Sequence, residues 1–248
     1  MNKTLIVGVA VLLVLVICGL FGGGANFIWY CGLPLVVIVG GGSVAATLAT
    51  TPLSEVKNFK KWLKIAFVPP KYDPRGVIDE IEEYAVVACG KGLLRLEESA
   101  DKAKNPFMKQ ALTLIVDATD SDKTRELLED AQACIAERHQ AGAAVFGKLV
   151  SLAPCFGLIG TLIGLAKLPP MFAGDWGSVA IAVAVTFYGA LLANAVFAPI
   201  VSALTATHKN EDFCLTLIVE GVVSITNGGT PKMIRENLEM MLTQSKIV

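Results

Sequence analysis

Thr161 and Thr186 are the residues whose chemistry contrasts most with their surroundings. Each is the one hydroxyl in a strip of small side chains: Ala153, Gly157, Gly160, Thr161 and Gly164 fall at i, i+4, i+7, i+8 and i+11, and Ala182, Thr186, Gly189, Ala190 and Ala193 repeat that spacing. On an α-helix these positions share one face. A threonine oxygen there, or the carbonyl beside it, can complete the shell of a partly dehydrated hard cation such as sodium, whereas a proton needs only a titratable group and a water path. The simpler use of the same hydroxyl is a bond back to the carbonyl four residues earlier, in the service of packing. The strips themselves allow two readings. They can bring two helices of this chain into close contact, or face a helix of a partner and line an ion route.

The elements that must carry these residues are membrane helices. The chain of 248 residues is 54% hydrophobic and 17% charged, with a mean hydropathy of +0.60, an apolar excess beyond the needs of a soluble core. Four segments, 4–21, 27–49, 145–168 and 178–204, are long enough to cross a hydrocarbon layer, which takes ~20 residues per helix. Residues 50–144 hold 14 of the 21 Lys/Arg and 16 of the 22 Asp/Glu residues, and the two short connections carry almost no charge. The positive-inside rule then places both termini and the large insert in the cytoplasm.

The sequence thus divides into spans one and two (1–49), a cytoplasmic helical insert (50–144), spans three and four (145–204) and a cytoplasmic C-terminal segment (205–248). No strand alternation or phosphate-binding loop interrupts the helical pattern. Asp73-Pro74 and Asn105-Pro106 each place a capping residue before a proline at the first helical position. The first opens a helix with apolar positions from Val77 to Ala88 and on through Leu93, Leu94 and Leu96. A further helix starts near Ser121 and meets no breaker, so it is expected to run into the third span as one rod. After the fourth span a helix runs to about Ile225, and the stretch 226–231 breaks it. The last helix carries Met233, Ile234, Leu238, Met241 and Leu242 at helical spacing, to pack on its own domain or lie along the membrane.

No Asp or Glu lies within the four spans; their ionisable side chains are Lys148 and Lys167, placed to snorkel to the interfaces. A cation route through these helices would need a carboxylate from another chain. Pro154 and Pro199 each remove a backbone hydrogen bond from a spanning helix, giving a static kink or a hinge. The six cysteines show no paired or ligand spacing and are expected to be reduced and buried. His139 and His208 sit in no metal, triad or HExxH pattern, and acidic pairs such as Glu82-Glu83 read as solvated faces, so neither a metal site nor an enzyme is indicated. With a net charge of −1 and no basic tract, nucleic acid is not an expected partner.

The segment Ala153-Pro-Cys-Phe-Gly-Leu-Ile-Gly-Thr-Leu-Ile-Gly-Leu165, followed by Val185-Thr-Phe-Tyr-Gly-Ala-Leu-Leu-Ala-Asn194 and Pro199, closely resembles the MotA/PomA family of flagellar stator subunits. Gly40-Gly-Gly-Ser-Val-Ala-Ala-Thr-Leu48 and Gly92-Leu-Leu-Arg-Leu-Glu97 fit as well, so the match runs in order along nearly the whole chain. TolQ and ExbB proteins share part of it but have three spans and an outside N-terminus. The resemblance implies an inner-membrane pentamer around two copies of a MotB/PomB-like single-span partner, which supplies the ion-binding aspartate. It also implies an insert that pushes on charged residues of a rotor switch-ring protein, with no cofactor beyond the transported Na+ or H+. Lys91, Arg95, Glu97 and Glu98 are then the rotor-facing charges, although Cys89-Gly90 stands where the family carries a charged pair. Gly160-Thr161 with Thr186 favours sodium, since proton-type members tend to carry alanine at the first threonine; Val185 replaces the first threonine of the usual pair. The alternatives are a related rotary motor powering secretion, gliding or outer-membrane transport, and a membrane scaffold without ion flux.

Overall fold

The computed structural model describes residues 7–11, 14, 36–103, 105–117, 120–166 and 176–245. Most of the first predicted span, the start of the second, and Lys167 lie outside them. The regular structure of the described residues is all helical, and the chain forms two compact units, Met1–Pro70 with His139–Thr207, and Lys71–Arg138 with His208–Val248.

In the first unit a turn of π-helix, Val36–Gly41, leads into α1 (Gly42–Ala49), and α2 (Leu53–Phe67) follows. Ser43 and Thr47, buried in α1, bond back to the carbonyls of Val39 and Ser43 at 2.5 and 2.8 Å, so neither hydroxyl is left unsatisfied in apolar surroundings. The apolar half of α6 (Ser121–Ala166) and α7 (Trp176–Leu191) complete the unit with the start of α8 (Ala198–Thr226). Two helical stretches, Ser121–Ala166 and Val179–Thr226, are long and apolar enough to cross a bilayer; Val37–Ala49 is apolar but shorter. Trp62 and Ala66 of α2 bury against Phe146, Leu149, Ile200, Ala203 and Leu204, with Phe59 stacked on Phe146 at 4.8 Å between ring centres.

The two prolines are accommodated differently. Pro154 sits inside the unbroken 46-residue α6. Pro199 lies just after a π-helical turn, Leu192–Phe197, which joins α7 to α8. The proline nitrogen has no N–H to give, and it follows directly on the turn where the helix leaves the regular i+4 register.

In the second unit α3 (Pro74–Lys91), a 3₁₀ turn (Leu93–Arg95), α4 (Leu96–Lys102) and α5 (Pro106–Val116) surround the C-terminal part of α8, and α9 (Pro231–Ser245) packs on α3. The caps form as expected: the Arg75 and Phe107 amides donate to the side chains of Asp73 and Asn105 at 3.2 and 2.9 Å. Ile234, Leu238 and Leu242 of α9 enter the core with Ile78 and Ile81, which settles its place on its own domain; Met233 stays exposed. The helix from Asp73 does not run on to Leu96. It stops at Lys91, because Gly92 takes a φ of +86°, and Leu93 and Leu94 become exposed while Leu96 is buried.

Two other expectations need correction. Cys89, Cys134 and Cys155 are free and exposed rather than buried; only Cys214 of the described cysteines is in a core, where burial, aided by the charges of Asp73 and Glu211, pushes its thiol up to about 11. Glu82 is not merely solvated, since it pairs with Arg235, which also reaches Asp79 and Glu239.

Arg125 makes a two-pronged contact with Glu220, Nη1 to Oε1 at 2.6 Å and Nη2 to Oε2 at 2.9 Å. These hydrogen bonds hold the Glu220 carboxyl below its ordinary value against the opposing effect of burial. A carboxylate depressed in the folded state adds stability that is full above its unfolded pKa and is lost as pH falls through the folded one. Glu220→Gln is therefore expected to cost ~1 kcal/mol near neutrality, a figure reduced for screening because both side chains are about a third exposed. Thermal unfolding of the full chain checks this. The gap to the parent should close below about pH 4, and an equal gap at both pH values would contradict the assignment.

Candidate ion-path site between α6 and α7

The site is built by glycines. A Cβ on Gly189 would lie 2.6 Å from the Ala153 carbonyl oxygen and 3.0 Å from Gly157 Cα, and one on Gly157 would lie 3.1 Å from the Val185 carbonyl oxygen and 3.2 Å from Thr186 Cα. Backbone thus rests on backbone, which only small residues permit. Gly164 extends the seam, for a Cβ there would come within 2.8 Å of Ala182 Cβ. Of the strip residues, Ala153, Gly157, Gly160, Ala182, Gly189 and Ala193 are buried within this chain, and Gly164 and Ala190 are half-buried.

This approach brings the two threonines together. Thr161 Oγ1 and Thr186 Oγ1 are 2.5 Å apart, Thr161 Oγ1 is 2.7 Å from the Ala182 carbonyl oxygen and 3.1 Å from that of Gly157, and Thr186 Oγ1 is 3.3 Å from the Gly157 oxygen. Four oxygens from two helices are thus linked through the two hydroxyls. The two hydroxyl protons cannot serve all of these contacts at once, so the hydrogen-bond direction can reverse and unused lone pairs remain on the hydroxyls. Both threonines are half-buried. The bonded set is neutral, with hard oxygen donors of the kind a small cation accepts.

Sequence spacing located each hydroxyl on its strip but not the carbonyls that join them. Gly157, a seam residue, contributes both the space and an acceptor. Lys148 Nζ donates to the Thr50 carbonyl at 2.5 Å and to Thr51 Oγ1 at 3.3 Å, capping the end of α1 with a cation. The other face of α6 presents Leu158, Leu162 and Leu165, with Cys155 at the same helical spacing, all exposed.

The four charged residues expected to face the rotor lie in the second unit. Lys91 ends α3, Arg95 closes the 3₁₀ turn, and Glu97 and Glu98 open α4. All four are exposed, and Arg95 pairs with Glu98 at 2.6 Å with both side chains more than half accessible. Leu94, 73% exposed, stands among them.

Residues 99–213 match the family model described as the MotA/TolQ/ExbB proton channel family. The chain is 33% identical to the chemotaxis protein PomA of Vibrio alginolyticus over 90% of this chain and 88% of that protein. It belongs to the MotA/PomA family. Motility protein A of Borreliella burgdorferi is 31% identical over 89% of this chain and 85% of that one. The flagellar MotAB stator complex from Bacillus subtilis contains a chain that superposes with a TM-score of 0.88 at 27% identity, covering 99% of this chain and 98% of that chain. The family comprises ion-channel components of motors rather than enzymes.

Proposed function

We propose that this MotA/PomA-family chain is a flagellar stator subunit of the inner membrane, which couples cation flow to torque on a rotor. The observation that carries the ion path is the convergence of Thr161 and Thr186 with the Gly157 and Ala182 carbonyls in apolar stretches, residues 145–168 and 178–204, that hold no carboxylate. A single-span partner of MotB/PomB type supplies the aspartate, and several copies of this chain, five in the proposed assembly, surround it. The half-buried side of the oxygen cluster faces that aspartate, and the flanking small residues of both strips let the partner helix approach. Lys91, Arg95, Glu97 and Glu98 engage the rotor switch ring. Pro154 and Pro199 serve as the flexing points of the spanning helices.

Sodium is the proposed ion, because the hydroxyl and carbonyl oxygens offer it ligands that a proton does not require. Swimming speed is expected to rise with external sodium at fixed pH. Thr161→Ala removes one oxygen and the bond to Thr186, and should weaken the response about tenfold, the equivalent of one lost ligand at ~1.4 kcal/mol. Motility indifferent to sodium and abolished by a protonophore in sodium medium would establish proton coupling instead.

A further inference from the structure

α2 carries a lysine face with no ionic partner among the described residues. Lys57, Lys60, Lys61 and Lys64 fall at i, i+3, i+4 and i+7 and are all exposed, while Phe59, Trp62, Leu63 and Ala66 repeat that spacing on the side packed against α6 and α8. None of the four lysines forms a salt bridge among the described residues; Lys61 Nζ lies over the Trp62 ring at 5.8 Å. The one acidic residue of the helix, Glu55, has a buried carboxylate oxygen and does not neutralise the stripe.

Position and apolar content add to the charge. Three residues, Thr50 to Pro52, separate α2 from the apolar helix α1. The lysine face begins at Leu53 (79% exposed) and ends at Phe67 and Val68 (37% and 51% exposed). These lie at i−4 from Lys57 and at i+3 and i+4 from Lys64, so one surface presents a row of cations between large apolar side chains. Four like charges side by side repel one another in water, and apolar ends gain nothing there. A layer of phosphates above acyl chains satisfies both, as basic amphipathic helices do at membrane surfaces.

We propose that α2 is a binding site for anionic phospholipid, with Lys57, Lys60, Lys61 and Lys64 contacting headgroup phosphates and Leu53, Phe67 and Val68 entering the acyl region. The proposal rests on the membrane placement of α1, α6 and α7 and not on rotor coupling. It assigns to one helix a lipid preference that the oxygen cluster and the insert charges do not need.

The test is native mass spectrometry of the purified full-length protein in a zwitterionic detergent, titrated with phosphatidylglycerol or with phosphatidylcholine of the same acyl chains. Phosphatidylglycerol should bind more tightly by about fivefold for each lysine that reaches a phosphate. The quadruple variant Lys57→Gln, Lys60→Gln, Lys61→Gln, Lys64→Gln should bind the two lipids alike. A control with Lys102, Lys109, Lys123 and Lys232 changed to Gln should keep the preference. If the first variant does not fold, the parent protein at high ionic strength must lose its preference, because the contacts are charge-driven and screened. Excess glycerol 3-phosphate should leave bound phosphatidylglycerol in place, since the apolar ends hold the chains. Equal binding of both lipids by the parent, a preference that survives in the lysine variant, or one lost equally in the control, would overturn the proposal. None of these readouts depends on ion flux or rotation, so failure here leaves the stator reading untouched.

Discussion

Gly189→Ala is expected to abolish motility and destabilise the chain, although the change adds a single methyl group. The added Cβ would meet the Ala153 carbonyl oxygen at 2.6 Å and Gly157 Cα at 3.0 Å, and neither backbone atom can step aside as a flexible side chain would. The helices must separate, at a cost of ~1–3 kcal/mol for overpacking a tight contact. The separation pulls Thr186 away from Thr161 and from the Gly157 oxygen, so the oxygen cluster opens as well. Gly147→Ala on α6 is the matched control, because no neighbour lies within 4 Å of a Cβ there. It should be neutral or stabilising by ~0.5–1 kcal/mol through helix propensity. Thermal unfolding in detergent and swimming on soft agar measure both. Equal behaviour of the two variants would mean that the seam does not control the site.

Charge reversal of Lys91, Arg95, Glu97 and Glu98 together is expected to leave assembly and membrane expression intact and to stop rotation. All four side chains are exposed, and the one ion pair among them, Arg95 to Glu98, simply exchanges sign when both ends are reversed. Folding stability should therefore move little, as it does for surface pairs. Against a rotor of fixed charge the outcome differs, since like-charge juxtaposition at an interface costs several kcal/mol, or roughly a hundredfold or more in engaged population. Tethered-cell rotation and membrane abundance, read in the same strain, distinguish the two effects. A quadruple reversal that swims normally would remove these residues from the rotor contact.

Much of the fold follows from local signals. Asp73-Pro74 and Asn105-Pro106 start helices because a side-chain acceptor and a preset φ act within one turn, and the unbroken α6 follows from the absence of any such signal between Ser121 and the apolar run. The stop at Gly92 was hidden by Leu93, Leu94 and Leu96, whose apolar character imitates a continuing helix although two of the three are exposed. The placement of α9 depended on which apolar surface would accept it, and only the packed α3 supplies that answer. At the site, spacing marked Thr161 and Thr186 one helix at a time. Their 2.5 Å approach depends on the register between α6 and α7, which Gly157 and Gly189 set through contacts distant in sequence. The exposure of Cys89, Cys134 and Cys155 could not be read from residue type, because a membrane protein leaves apolar side chains facing outward wherever lipid or a partner replaces water.

Cation conductance tests the central claim most directly, measured on proteoliposomes that contain the full chain alone, with its single-span partner, or with that partner carrying Asn in place of its membrane aspartate. The account predicts current only in the second preparation, because the spans of this chain contain oxygen ligands but no carboxylate to release and retake the ion. Sustained current through the chain alone, or undiminished current with the Asn partner, would contradict it.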